Sequence, residues 1–170
     1  MAGCGLGNTT QNFLALSFVY GMNQTIDTLV STAWGDNKPA LCSVYLYRGR
    51  FILCLFYIPV AVILFHSENM LIALGQDPQA AKYAQEYMIA FLPGLVLLGL
   101  IDLHRRFLNS VGHTRPPFIC LLVGTILHYF LSKYLVIEKQ MGIKGTGIAG
   151  LVMNIVVFLL QHLWAQFFIP

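Results

Sequence analysis

Charge is what this sequence has least of. Aspartate, glutamate, lysine and arginine make up 10% of its 170 residues, against roughly a quarter in soluble domains. A soluble fold of this size could not cover its core with so few. Acids are scarcer than bases, 7 against 10, and the net charge of +3 gathers into no basic cluster that would read as a nucleic-acid surface. Cysteine is limited to Cys4, Cys42, Cys54 and Cys120. They form no CxxC pair and have no histidine at metal-ligand spacing, so neither structural zinc nor a disulfide framework is expected. The opening run MAGCGLGNTTQNF has no basic stretch ahead of an apolar one, so it does not read as a signal peptide. Its alternating glycines follow no strand, as a dinucleotide fold would require, and the GIKGTG run at 142–147 lacks the Gly-Lys-Ser/Thr ending of a phosphate loop. No stretch reads as a β-strand, and no cofactor or covalent chemistry is implied.

What is present in quantity is apolar: 57% of residues are hydrophobic and the mean hydropathy is +0.69. The expected class is an all-α integral membrane protein with the lipid bilayer as its first partner. Five membrane helices are drawn, at about 11–34, 44–65, 87–108, 117–136 and 146–168. The first is amphipathic and escapes a hydropathy scan. The second spans if Arg48 and Arg50 snorkel to the surface. The third is interrupted by Pro93 and needs protein neighbours to satisfy the freed carbonyl. Basic residues in the turns around 35–50 and 102–116, and mostly acidic ones around 66–86, place the first and third turns in the cytoplasm and the N-terminus outside. Lys133, Lys139 and Lys144 break this alternation. Asn8-Thr9-Thr10 reads as an exposed glycosylation sequon, whereas Asn23-Gln24-Thr25 lies within a helix and reads as a chance match. Within 66–86, Gln76-Asp77-Pro78 is expected to start a short interfacial helix, with proline in the first turn and the acid at the positive helix end.

The stretch Tyr20 to Arg50 carries most of the functional signal. At about 100° per residue, Tyr20, Asn23, Gln24, Asp27 and Ser31 share one face of the first helix, and Phe18, Met22, Leu29 and Ala33 share the other. Asp27 is therefore an intramembrane carboxylate, costly unless it pairs or titrates, and its face is expected to turn inward. It reads either as a proton or cation site or as a structural hydrogen-bonding partner near the helix end. His128 is a candidate because histidine is the side chain suited to proton exchange near neutral pH, yet a lone histidine in an apolar helix is more often satisfied by a neighbouring carbonyl. Tyr20, Asn23, Asp27 and His128 have no obvious strong partner in the sequence. Asp102, Arg105 and Arg106 stand at i, i+3 and i+4, the spacing of an ion pair on one helix. Gly145/Ala149 and Thr146/Gly150 give the small-xxx-small spacing of close helix packing.

Several of these residues, in this order and spacing, resemble the eukaryotic branch of the multidrug and toxic compound extrusion (MATE) transporters. They are Asp27-Thr28-Leu29 with Trp34-Gly35, Tyr45-Leu46-Tyr47-Arg48, Leu74-Gly75-Gln76-Asp77-Pro78, Tyr87 with Pro93, Arg106-Phe107-Leu108, His128 with Leu135-Val136, and Gly142-Ile143-Lys144-Gly145. The resemblance implies a two-lobed antiporter that exports organic cations in exchange for protons or sodium. By that resemblance the chain looks like helices two to six of the first lobe, which implies a second lobe as the missing partner. The transport-site candidates are then Tyr20, Asn23, Gln24, Asp27 and His128. The chain departs from the family pattern at Thr32, Asn109, Val111 and Lys133. The competing reading is a non-transporting membrane subunit or fragment that keeps the lobe's packing.

Overall fold

The computed structural model describes residues 6, 9, 10, 12–139 and 142–168, and among them all regular structure is helical. A π-helical turn over Asn12–Leu16 leads into α1, Ser17–Gly35. Then come α2, Pro39–Phe65; α3, Ser67–Ala73; α4, Pro78–Ser110; α5, Arg115–Lys133, extended by a second π-helical turn over Tyr134–Glu138; and α6, Gly142–Phe168. Among the described residues, only α2, α5 with its extension (Arg115–Glu138) and Ile148–Phe167 of α6 are apolar enough along their length to cross a membrane by composition. Helices α1 and α4 carry ionisable residues that face one another.

Local chemistry sets the boundaries. Asn37 adopts a positive φ of 55° and turns the chain between α1 and α2, and Pro39 occupies the first turn of α2, where its missing N–H is no loss. The segment 66–86 is not a loop containing one interfacial helix. Ser67–Ala73 winds as α3 because Leu71 can bury against Leu64, Ala81 and Ala84. Gly75, at φ 83°, then reverses the chain. Asp77 caps the next helix by accepting a hydrogen bond from the Ala80 N–H at 3.0 Å, with Pro78 at N1. The start expected at Gln76-Asp77-Pro78 is therefore present, but the helix it starts is α4 itself, continuous through Pro93 to Ser110.

Helices α1, α4 and α6 run parallel, with α2 and α5 antiparallel to them. The pairings Asn23 with Gly99 and Asp27 with Arg106 align α1 with α4. Tyr57 with Leu95 and Arg50 with His104 reverse α2 against α4. The basic turns after α1 and α4 thus share one end of the molecule, and the turn with Glu68 and Asp77 lies at the other.

Two apolar cores form along α4. One gathers Val19, Leu53, Tyr57, Leu64, Ala84 and Leu95; the other gathers Ile26, Val30, Leu46, Leu103, Phe107 and Ala165. At Gly99 the chains approach so closely that a Cβ would strike the Tyr57 hydroxyl. That hydroxyl donates to the Leu95 carbonyl at 2.7 Å. The buried stripe of α1 is Val19, Asn23, Ile26, Val30 and Ala33. Ala33 therefore belongs to the inner face rather than with Phe18 and Leu29, which are exposed, and Tyr20, Gln24 and Ser31 sit outside it. The stripe is rotated from the wheel drawn on sequence because the polar residues do not centre the protein-facing side; Asn23 alone lies within it.

Candidate functional site

Parallel packing of α1 on α4 stacks two polar rungs. In the deeper one, Asn23 Nδ2 donates to the Gly99 carbonyl at 3.0 Å and to Asp102 Oδ2 at 3.1 Å. One turn further along, Arg106 bridges two carboxylates: its Nε donates to Asp102 Oδ2 at 2.8 Å and its Nη1 to Asp27 Oδ2 at 2.5 Å. Arg105 takes the other oxygen of Asp102. The ion pair expected from the spacing of Asp102, Arg105 and Arg106 is present, and it extends across to Asp27. Two carboxylates and two guanidiniums balance, which makes charge at this depth tolerable.

The two acids are held unequally. Asp102 is 5% exposed and accepts hydrogen bonds from Asn23, Arg105 and Arg106, so that both of its oxygens are engaged. The Asp27 side chain is 43% exposed. Its Oδ2 is held by Arg106, while Oδ1 has only the Ser110 hydroxyl, at 3.4 Å. Asn23 and Asp27 thus have partners that the sequence does not disclose. Those partners lie 79 residues away along the chain, and only the register of α1 on α4 brings them together. Burial of the Asn23 amide also leaves that sequon without an accessible acceptor; the other, at Asn8, lies outside the described residues.

The remaining candidates are not gathered here. Tyr20 and Gln24 stay exposed on the flank of α1. His128 belongs to α5, which packs chiefly on α6; its ring faces Gly150, its Nε2 is 3.5 Å from the Ser132 hydroxyl, and its Nδ1 is buried without a partner among the described residues. It is not part of the Asp27 group. An apolar cleft of about 260 Å³ opens between α1 and α2, where Asn23 and Arg48 are among the few polar lining residues.

A second polar cluster lies on the other side of α4. Arg50 does not snorkel outward: its Nη2 reaches His104 Nε2 at 2.7 Å and His162 Nδ1 at 3.2 Å. The guanidinium also lies 5.2 Å from the centre of the Tyr47 ring. Arg50 turns in because α2 begins at Pro39, which puts position 50 three turns inside the helix, opposite α4 and α6. His104 and His162 escape a reading of the sequence. Their only signal is the one that singles out His128, a histidine among apolar turns, and nothing in the sequence pairs them with Arg50.

The MatE family model matches residues 1–134. Among curated relatives, Protein DETOXIFICATION 51 of Arabidopsis thaliana is 31% identical over 91% of this chain and 30% of its own length. Multidrug and toxin extrusion protein 1 of Xenopus tropicalis is 28% identical over 94% of this chain and 28% of its own. The crystal structure of the eukaryotic MATE transporter AtDTX14 superposes with a TM-score of 0.89 over 97% of this chain and 37% of that one, at 21% identity. The chain thus spans about a third of the length of the relatives it matches. The architecture is that of an all-α integral membrane protein, and with residues 1–134 matched the chain belongs to the MatE family.

Proposed function

We propose that this chain forms most of one lobe of a secondary antiporter that exports organic cations in exchange for protons or sodium. Asp27 is the exchange group. The observation that carries this is the unequal grip on the two acids: Asp102 is enclosed, whereas Asp27 keeps one loosely held oxygen at a half-exposed position. Arg106 is its internal counter-ion. When a proton or a cation neutralises Asp27, Arg106 remains bound to Asp102 and no buried charge is stranded. Loss of the Asp27–Arg106 bond removes the ionic tie between α1 and the outer turns of α4 while their apolar contact remains, a local change through which ligand could bias two lobe arrangements. Tyr20 and Gln24, on the open flank of α1, would then meet substrate where a second lobe covers them.

The same ion pair favours one other reading, in which Asp27–Arg106 is a permanent strut and the chain is a non-transporting membrane subunit. Vesicles distinguish the two. The 170-residue chain alone should not accumulate a cationic dye under a proton gradient, whereas a version joined to a second lobe should, in a pH-dependent way that Asp27→Asn weakens. Dye accumulation by the short chain, or unchanged transport by the substituted long form, overturns the proposal.

A further inference from the structure

Arg50 differs from Arg105 and Arg106 in what it binds. Arg105 and Arg106 are matched by carboxylates. Among the described residues no carboxylate lies within 4.0 Å of Arg50. Its hydrogen-bond partners are two imidazoles, one from α4 and one from α6, and its Nε is buried without a partner among the described residues. The hydrogen bonds fix the tautomer of His104 and leave both rings uncharged. His104 Nδ1 donates to the Leu100 carbonyl at 2.7 Å, so its Nε2 carries the lone pair that Arg50 uses. His162 stands between two donors, with Arg50 Nη2 3.2 Å from Nδ1 and the Gln166 side-chain nitrogen 3.1 Å from Nε2, so it offers its lone pair to one of them and carries no charge. Both rings are neutral in this arrangement. They lie 5.7 Å apart, with Phe158 packed edge-on to His104 and stacked on His162.

We infer that Arg50, His104 and His162 form a proton-binding site, separate from Asp27, whose occupation releases α6 from α4. A proton arriving at either ring takes the lone pair held by the guanidinium. The bond breaks, and two cations then face each other in an apolar setting. His104 faces Arg50 and His162, and His162 faces Arg50 and His104; Tyr47 faces Arg50 from α2. None is an acid that would compensate an added positive charge. Arg50 is half-buried and sits on a long side chain, so it is the group that leaves, and with it goes the bridge that joins α2, α4 and α6 at one level. The inference concerns an equilibrium within this chain and does not depend on whether the protein transports.

The seam to watch contains Ala165, fully buried one turn beyond His162 in a cluster with Phe107, Leu108 and Val111 of α4. In the 170-residue chain in lipid nanodiscs, Ala165→Cys should be labelled by a maleimide more readily as pH falls. Labelling at each site is quantified by peptide mass spectrometry and expressed relative to a second introduced thiol, Gln76→Cys, in the exposed turn before α4, which cancels the common loss of thiolate. For one proton the ratio rises by at most about tenfold per pH unit. The step should disappear when His104→Gln and His162→Gln are combined, and Arg50→Gln should give a high ratio at every pH. A flat ratio in the chain with its histidines intact, or an undiminished step in the double histidine variant, overturns the inference. Histidine ¹⁵N spectra of the unsubstituted chain supply a readout that needs no substitution at the site. Both rings should be neutral at about pH 7.5 and gain a proton over the range in which labelling rises; rings that stay neutral while the thiol introduced at position 165 becomes reactive also overturn it.

Discussion

At the scale of single residues, Arg106 holds most of the site together. It touches Asp27 and Asp102 at once, so replacing it leaves two acids where one counter-ion remains, and Arg105 is itself half-exposed. Arg106→Gln should therefore cost roughly 3–5 kcal/mol, the range for breaking a buried ion pair by removing one partner. Asp27→Asn should cost about 1 kcal/mol or less, because its side chain is 43% exposed. Thermal unfolding followed by circular dichroism in detergent would rank them, and an equal cost for both would contradict the bridging role. The sequence makes part of this readable: Asp102, Arg105 and Arg106 sit at helical spacing on one helix, and Asp27 is conspicuous as an acid among apolar turns. Their union is not readable, since a contact across 79 residues depends on how α1 is rotated, and the position of Ala33 shows that rotation to differ from the drawn wheel. Arg50 is hidden for a related reason. A basic residue near a helix end reads as a surface anchor until the helix is known to begin three turns earlier.

At the scale of elements, helix existence follows from hydropathy, while ends and contacts follow from single residues. Asp77 is legible as a cap because Asp-Pro at a helix start has a direct chemical reason, and Asp77→Ala should destabilise the fold by about 1 kcal/mol, measured by the same unfolding experiment. The seven-residue α3 is not legible, since one buried leucine, Leu71, gives no periodicity to detect. Close helix packing is expected from Gly145/Ala149 and Thr146/Gly150; Ala149 is fully buried and Gly150 lies against the His128 ring of α5, while the side chains at 145 and 146 lie outside those described. Among the described glycines the tightest α5–α6 approach is at Gly124, where a Cβ would collide with Val157 and touch Met153. An isolated glycine carries no pattern. Gly124→Ala should cost about 1–3 kcal/mol by overpacking, and Val157→Ala in the same chain should recover part of it. Simple additivity in that double-mutant cycle would show that the two sites do not touch.

At the scale of the whole molecule, the fold divides into helices that suit lipid alone and a pair that suits lipid only together. Three spans meet the apolar requirement, whereas α1 and α4 hold their charges against each other. This division has a consequence for biogenesis. Helix α1 leaves the ribosome long before the arginine that neutralises its aspartate, and an unpaired aspartate near a helix centre disfavours translocon insertion by roughly 2.5–3.5 kcal/mol. Nascent α1 should wait at the insertion machinery until α4 arrives, then partition into the bilayer beside it. Glycosylation mapping of nascent chains would show this as weak insertion of α1 in chains truncated at residue 66 and strong insertion once residue 110 has emerged, with Asp27→Leu abolishing the delay. The ion pair that joins two helices in the finished protein thus also sets the order in which they enter the membrane.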